Sequence, residues 1–249
     1  MATRRKKLTR KMVDTAQRFE EIEEVVSELR RTDGDGISIV LVGSAARNLL
    51  TDDSDIDLML IGTTRPAVPR SFPGFHIQSS SVAEFLRNLQ NGEDFEIWCV
   101  RLGIPLYDGG QWAHIVASDE ARQWPRWELK VSHGARRLFL ARSLLEMGDN
   151  EAATEELVYT LGHIARALLL QAGVFPLSRP ELAGQLRTLG CPHLAAIHEQ
   201  LRGFEVNTRV LVRALSYAKR LLCHLDREVY AACADEQRSR AKLKSLRGT

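Results

Sequence analysis

The sequence predicts an α+β chain, with a small sheet and flanking helices first and a bundle of helices after it. Three observations predict this. The stretch from Ile37 to Gly62, ISIVLVGSAARNLLTDDSDIDLMLIG, reads as strand, tight turn, short helix, loop and strand. From about Ser118 onward every apolar pattern has helical spacing. The composition is that of a globular protein, with 44% hydrophobic and 27% charged residues. At 249 residues the chain has room for two modest domains, expected at 1–117 and 118–249.

The chain opens on a basic segment, Met1 to Met12, which carries Arg4, Arg5, Lys6, Lys7, Arg10 and Lys11 and no acid. It reads as a solvated terminus, or alternatively as a contact for a phosphate backbone. From Val13 the residues Ala16, Phe19, Ile22, Val25, Val26 and Leu29 recur at three- and four-residue steps, as on one face of a helix. Asp33-Gly34-Asp35-Gly36 ends that helix. Ile37 to Val42 is a short apolar, β-branched run and predicts a buried strand. Gly43-Ser44 is a turn where the backbone can bend sharply. Ala45 to Leu50 has helical character, Thr51 to Ser54 is loop chemistry, and Asp55 to Ile61 resumes as a strand. A Pro-rich loop, 63–74, leads to the short strand Phe75-His76-Ile77-Gln78. Ser81 with Glu84 three residues on forms a capping box for a helix over about 82–90, and Asn91-Gly92 breaks it. Glu93 to Arg101 predicts a further helix.

The chemistry concentrates at Asp55 and Asp57. Residues i and i+2 of a strand point to the same face, with Cα atoms about 6.5 to 7 Å apart. Two carboxylates placed so close repel each other unless a cation lies between them. Just upstream, Gly43 and Ser44 open a helix whose free N–H groups suit phosphate. An anion cradle beside a cation site suits a nucleoside triphosphate carried with Mg²⁺.

These residues resemble the nucleotidyltransferase (DNA polymerase β-like) superfamily. Gly43-Ser44-Ala45-Ala46-Arg47 with Ser54-Asp55-Ile56-Asp57 is similar to the Gly-Ser-x-x-Arg and Ser-Asp-x-Asp pattern of the minimal and aminoglycoside nucleotidyltransferases. Many of those carry Gly after the Arg, where this chain has Asn48. Gly103-Ile104-Pro105-Leu106-Tyr107-Asp108 resembles the segment that closes their catalytic domain. The resemblance implies a mixed sheet flanked by helices, an NTP co-substrate and Mg²⁺ held by Asp55 and Asp57. It also implies triphosphate contacts from Gly43, Ser44, Arg47 and Ser54. The family's third carboxylate, which binds metal and can deprotonate the acceptor, should fall on the strand after Asp-x-Asp. There this chain offers His76, with Gln78 next, so His76 is the candidate base. The implied acceptor is a hydroxyl on RNA or tRNA, on a protein, or on a small molecule such as an aminoglycoside. Roles in antibiotic resistance and in toxin–antitoxin systems both belong to the superfamily. The departure at His76 also leaves open an impaired nucleotide binder or antitoxin-like regulator.

Helices follow at Leu129 to Met147, Glu151 to Ala172, Arg179 to Leu189, His193 to Leu201 and Thr208 to Ala232. This half resembles the helical domain of aminoglycoside nucleotidyltransferases and of HEPN-like proteins, most of all in Gly173-Val-Phe-Pro-Leu-Ser-Arg-Pro-Glu-Leu182. Arg187 with His193, and Arg126 with His133, match the Arg–His spacing of HEPN ribonucleases, a spacing that chance supplies in a chain with 34 Lys and Arg. The net charge of +2 announces no bulk nucleic-acid binder. No apolar run reaches membrane-spanning length and no signal peptide is visible. Cys99, Cys191, Cys223 and Cys233 form no Cys-x-x-Cys pair, which suits reduced thiols in a cytoplasmic protein. A homodimer is compatible with the sequence and not required by it.

Overall fold

The computed structural model describes residues 15–50, 54–68, 72–203 and 207–247, with the side chains of 15–17, 33 and 229–247 left aside. The basic segment Met1 to Met12 and the loop residues 51–53 lie outside the described residues. The chain divides into two compact units, Met1–Pro125 and Arg126–Thr249.

The first unit is built on a four-stranded mixed sheet of β1 (Ile37–Val42), β2 (Ile56–Gly62), β3 (Phe75–Ser81) and β4 (Ile104–Asp108), in the order β3-β2-β1-β4. β1 runs antiparallel to both β2 and β4, and β2 runs parallel to β3. All six residues of β1 are buried, as its unbroken apolar run requires of a central strand. One sheet face is covered by α1 (Thr15–Asp33), whose Ile22, Val25 and Leu29 pack with Ile37, Ile39 and Leu41 of β1 and Ile56, Leu58 and Leu60 of β2. Alternation sends the even residues of β1 to the opposite face. There the helices are α3 (Val82–Asn91), α4 (Asp94–Leu102) and α5 (Gln111–Ala117). Phe85 of α3 meets Trp112 of α5 edge to face at 6.3 Å, and the Trp112 N–H donates to Ser38 Oγ at 3.0 Å.

The helix expected over Ala45 to Leu50 is a single turn, α2 (Gly43–Ala46). Asn48 stops it. It is the one non-glycine residue with positive φ (55°) among those described. Its N–H reaches Ala45 O at 3.0 Å and the Leu49 N–H reaches Ser44 O at 2.9 Å, the paired closure of a Schellman motif. Asn is the side chain that best tolerates this conformation where glycine would be usual. The expected capping box is present at α3: Ser81 Oγ accepts the Glu84 N–H at 3.2 Å, and Gly92 ends the helix at φ 79°.

Residues 118–125, grouped by sequence with the helical half, belong with the sheet. The 3₁₀ turn Glu120–Arg122 packs on α3 and α5, and the Arg101 guanidinium lies 5.1 Å from the Trp124 ring. β4 and α5 carry too weak a pattern to be read from sequence. Asp108 ties them together: its carboxylate accepts from Gly110, Trp112 and Ala113 N–H groups at 2.9 to 3.0 Å and from the Ser38 hydroxyl at 2.6 Å. Burial works to raise its pKa, but these four hydrogen bonds hold it below the ordinary value.

The second unit is helical: α6 (Trp127–Glu146), α7 (Asn150–Gln171), α8 (Leu182–Thr188), α9 (Pro192–Leu201) and α10 (Thr208–Arg247). Its core is formed by α7 residues Leu157, Leu161, Ile164 and Leu169 with Leu186, Leu194, Leu211 and Leu225 from the other helices. No helix among the described residues is long and apolar enough to cross a membrane. Cys99, Cys191 and Cys223 are free thiols.

Candidate active site

The site lies where β1 ends. In the register Asp57 stands opposite Val42 on one side and His76 on the other, so it faces away from the α1 core. Asp55 is exposed, Ile56 is fully buried against α1, and Asp57 is half-buried, the alternation that keeps both carboxylates off that core. His76 Nδ1 lies 3.1 Å from Asp57 Oδ1. In the tautomer that donates Nδ1–H to this carboxylate, Nε2 is the acceptor nitrogen of the ring.

The glycine at the bend is required by two constraints at once. Gly43 has φ 69°, which an L side chain rarely adopts. A Cβ there would overlap Asp57 Oδ2 and would sit 3.2 Å from its Cγ and 3.3 Å from its Cβ. The backbone at Gly43 therefore presses against one oxygen of Asp57 while His76 holds the other. Ser44 sits in the following turn, its carbonyl accepting from Arg47 and Leu49. Arg47 is the C-terminal cap of that turn, and Ser54 immediately precedes Asp55.

Residues 20–91 match the family model described as the nucleotidyltransferase domain. That segment of the N-terminal unit is similar to a nucleotidyltransferase domain. The matched segment runs from within α1 to the end of α3, so it contains the glycine bend, both aspartates and His76. None of the curated proteins matches the chain. Among solved structures, a nucleotidyltransferase-like protein from Exiguobacterium sibiricum 255-15 is similar, at 21% identity and a TM-score of 0.42, over 82% of this chain and 74% of that one. That likeness is too remote to bear on the site.

Two acids of the N-terminal unit are buried. Asp94 and Glu96, in the first turn of α4, are 7% and 9% exposed. Glu96 accepts Asn88 Nδ2 at 2.7 Å, and burial raises its pKa despite that hydrogen bond. The thiol of Cys99 is also fully buried. Burial first, then the charges of Glu96, Asp94 and Asp57, push its pKa well up. Those three carboxylates therefore lie within electrostatic reach of one atom, on the sheet face opposite α1. The signal that could have marked them is the Asn91-Gly92 break, which folds α4 back so that Asn88 meets Glu96. Among the described residues no three His, Cys, Asp or Glu side chains converge as a complete metal site.

Proposed function

We propose that the chain transfers a nucleoside monophosphate from an NTP to an acceptor hydroxyl, with Asp55 and Asp57 holding Mg²⁺. The observation that carries this reading is the packing of Gly43 backbone, Asp57 and His76 at the end of β1. The fit to a metal is argued from Asp57 itself. One of its oxygens is fixed by His76 at 3.1 Å, and the other lies at the glycine bend where a side chain would intrude. Two chain carboxylates are enough for Mg²⁺, which completes its shell with phosphate oxygens and water. Bound there, the ion would supply positive charge against the triphosphate oxygens.

The chain's own residues would do the rest. Gly43 and Ser44 offer backbone N–H groups and a hydroxyl to the β- and γ-phosphates, and Arg47 and Ser54 add charge and a hydroxyl near the same turn. His76, its Nδ1–H hydrogen-bonded to the Asp57 carboxylate, presents Nε2 to take the acceptor's proton as the hydroxyl oxygen attacks the α-phosphorus and pyrophosphate leaves. Positioning and charge supply most of the acceleration in phosphoryl chemistry of this kind.

The test is pyrophosphate release from each of the four NTPs with Mg²⁺, in the presence of total cell RNA, of cell protein or of an aminoglycoside mixture. Wild type should release pyrophosphate with one acceptor class, and Asp55→Asn and Asp57→Asn should each lose at least about a hundredfold in rate. His76→Gln should lose about a hundredfold in rate. NTP binding with no release from any acceptor would replace this reading with that of a nucleotide-binding regulator.

A further inference from the structure

The inward face of α6 is accounted for. Val131 and Ala141 are buried in the helical core, Leu138 and Leu145 pack against it, and a Cβ at Gly134 would meet Leu222 of α10 at 3.2 Å. With about 3.6 residues per turn, the side turned away from those positions carries Arg136, Phe139, Leu140, Ser143 and Met147. That side is apolar as well. Phe139 is 74% exposed and Met147 is 73% exposed, the two largest values for any large hydrophobic residue described, and Leu140 is 42% exposed. Met147 caps α6 with helical backbone, so it continues the stripe. Exposed hydrophobics scattered singly need no explanation, but three on one helix face within about two turns mark a contact surface.

The spacing of this stripe fits a second copy of itself. Phe139 and Met147 each lie four residues from Ser143. With two helices antiparallel about a two-fold axis at Ser143, Phe139 of each copy therefore meets Met147 of the other. A thioether against an aromatic ring is a favourable contact. Ser143 is small, and its hydroxyl donates within its own helix to Phe139 O at 3.1 Å, so two helices can approach at the axis.

The charges agree with the antiparallel arrangement. Arg136 is exposed and lies about 10 Å before Ser143 along the helix. The same distance beyond Ser143 in the other copy is the α6–α7 turn, where Asp149 and Glu151 are exposed. A parallel pair would instead set Arg136 against Arg136. The ion pair of Arg142 with Glu146, at 2.7 Å, borders the stripe as a polar rim.

We propose that α6 is the interface of a homodimer, in which two copies join through antiparallel α6 helices about a two-fold axis at Ser143. The interface lies in the helical unit and stands whether or not the first unit transfers a nucleotide.

The test is sedimentation equilibrium of the full chain across a concentration series, which should show a species of twice the 28.0 kDa of one chain. Phe139→Ser combined with Met147→Ser should raise the dimer dissociation constant at least about tenfold, because the symmetry counts each lost contact twice. Phe19→Ser, at a residue 59% exposed on α1, is the control and should dimerise as wild type. Arg136→Glu should weaken the dimer, and adding Glu151→Arg should restore it. Crosslinking reads the register. Helix axes 8–10 Å apart place two facing Cα atoms at about 3.5 to 5.5 Å, which a disulfide can span. In a chain with Cys223→Ser and Cys233→Ser, Ser143→Cys should therefore form a reducible dimer on mild oxidation. Arg136→Cys should not, since its two copies would lie about 20 Å apart. Circular dichroism confirms that each variant is folded.

A chain that stays at 28.0 kDa throughout the series would overturn the proposal. So would a dimer untouched by the paired Phe139 and Met147 substitutions or weakened as much by Phe19→Ser. A charge exchange that fails to restore the dimer, or crosslinking at position 136 as efficient as at 143, would overturn it as well.

Discussion

Gly43→Ala tests the packing at the heart of the site, and it does so without knowing the acceptor. The substitution meets two costs. Holding an L residue at φ 69° costs about 1–2 kcal/mol. The new methyl also overlaps Asp57 Oδ2 and crowds its Cγ at 3.2 Å, so the carboxylate must rotate off His76, an overpacking cost of about 1–3 kcal/mol. The sum is about 2–5 kcal/mol.

In an Asp57→Ala background Cγ and both oxygens are gone, and what remains is the backbone cost of about 1–2 kcal/mol and a tight 3.3 Å contact with the retained Cβ. The double-mutant cycle should therefore show a coupling of about 1–3 kcal/mol, with the pair less destabilised than the sum of the singles. Urea unfolding followed by tryptophan fluorescence reads it, since Trp98, Trp112 and Trp124 all lie in the first unit. Additive effects, with coupling under about 0.5 kcal/mol, would refute the claim that Gly43 is dictated by the Asp57 carboxylate.

Three further outcomes follow from the same structure. Asn48→Ala should cost about 1–2 kcal/mol because alanine resists the left-handed conformation, whereas Asn48→Gly should be neutral or stabilising in the same unfolding assay. Asp108→Ala should cost about 1 kcal/mol at neutral pH as a lost cap. Because the folded-state pKa of Asp108 lies below its ordinary 3.8, that contribution is complete above this value and fades as pH falls through the folded pKa, so the variant and wild type should converge in acid. Glu96 has the opposite sign. Its folded-state pKa is raised above 4.5, so it favours folding fully only below that pH and loses the benefit as pH rises through the folded pKa. Glu96→Gln, which keeps an oxygen for Asn88, should be more stable than wild type at pH 7 and equal to it below pH 4.5, read by thermal unfolding across pH.

How far the sequence reveals the site depends on whether each signal is local. β1, β2 and β3 were legible because apolar runs and the Asp-x-Asp alternation are properties of neighbouring residues. The sequence offered His76 only as the best match on the strand after Asp-x-Asp; its place opposite Asp57 comes from the parallel register of β2 and β3, which no local pattern states. β4 escaped because it is a five-residue edge strand containing Pro105, with a register shift at Ile39/Val40 that breaks its alternation. α5 escaped because seven residues hold only Trp112 and Ile115 on the buried side. The Asn91-Gly92 break marks where α4 folds back onto α3, but which side chains that contact buries, Asp94 and Glu96 among them, is tertiary and not written in the local pattern. The short α2 could have been anticipated from Asn48, a residue that tolerates the left-handed conformation with which such a turn ends.

The most direct measurement of the central claim compares NTP labelled at the α-phosphorus with the same NTP labelled at the γ-phosphorus, incubated with Mg²⁺ and the acceptor that supports pyrophosphate release. The account predicts that the α-label alone becomes acid-insoluble or acceptor-bound, and that Asp57→Asn abolishes this. Transfer of the γ-label, or full α-label transfer by Asp57→Asn, would contradict it.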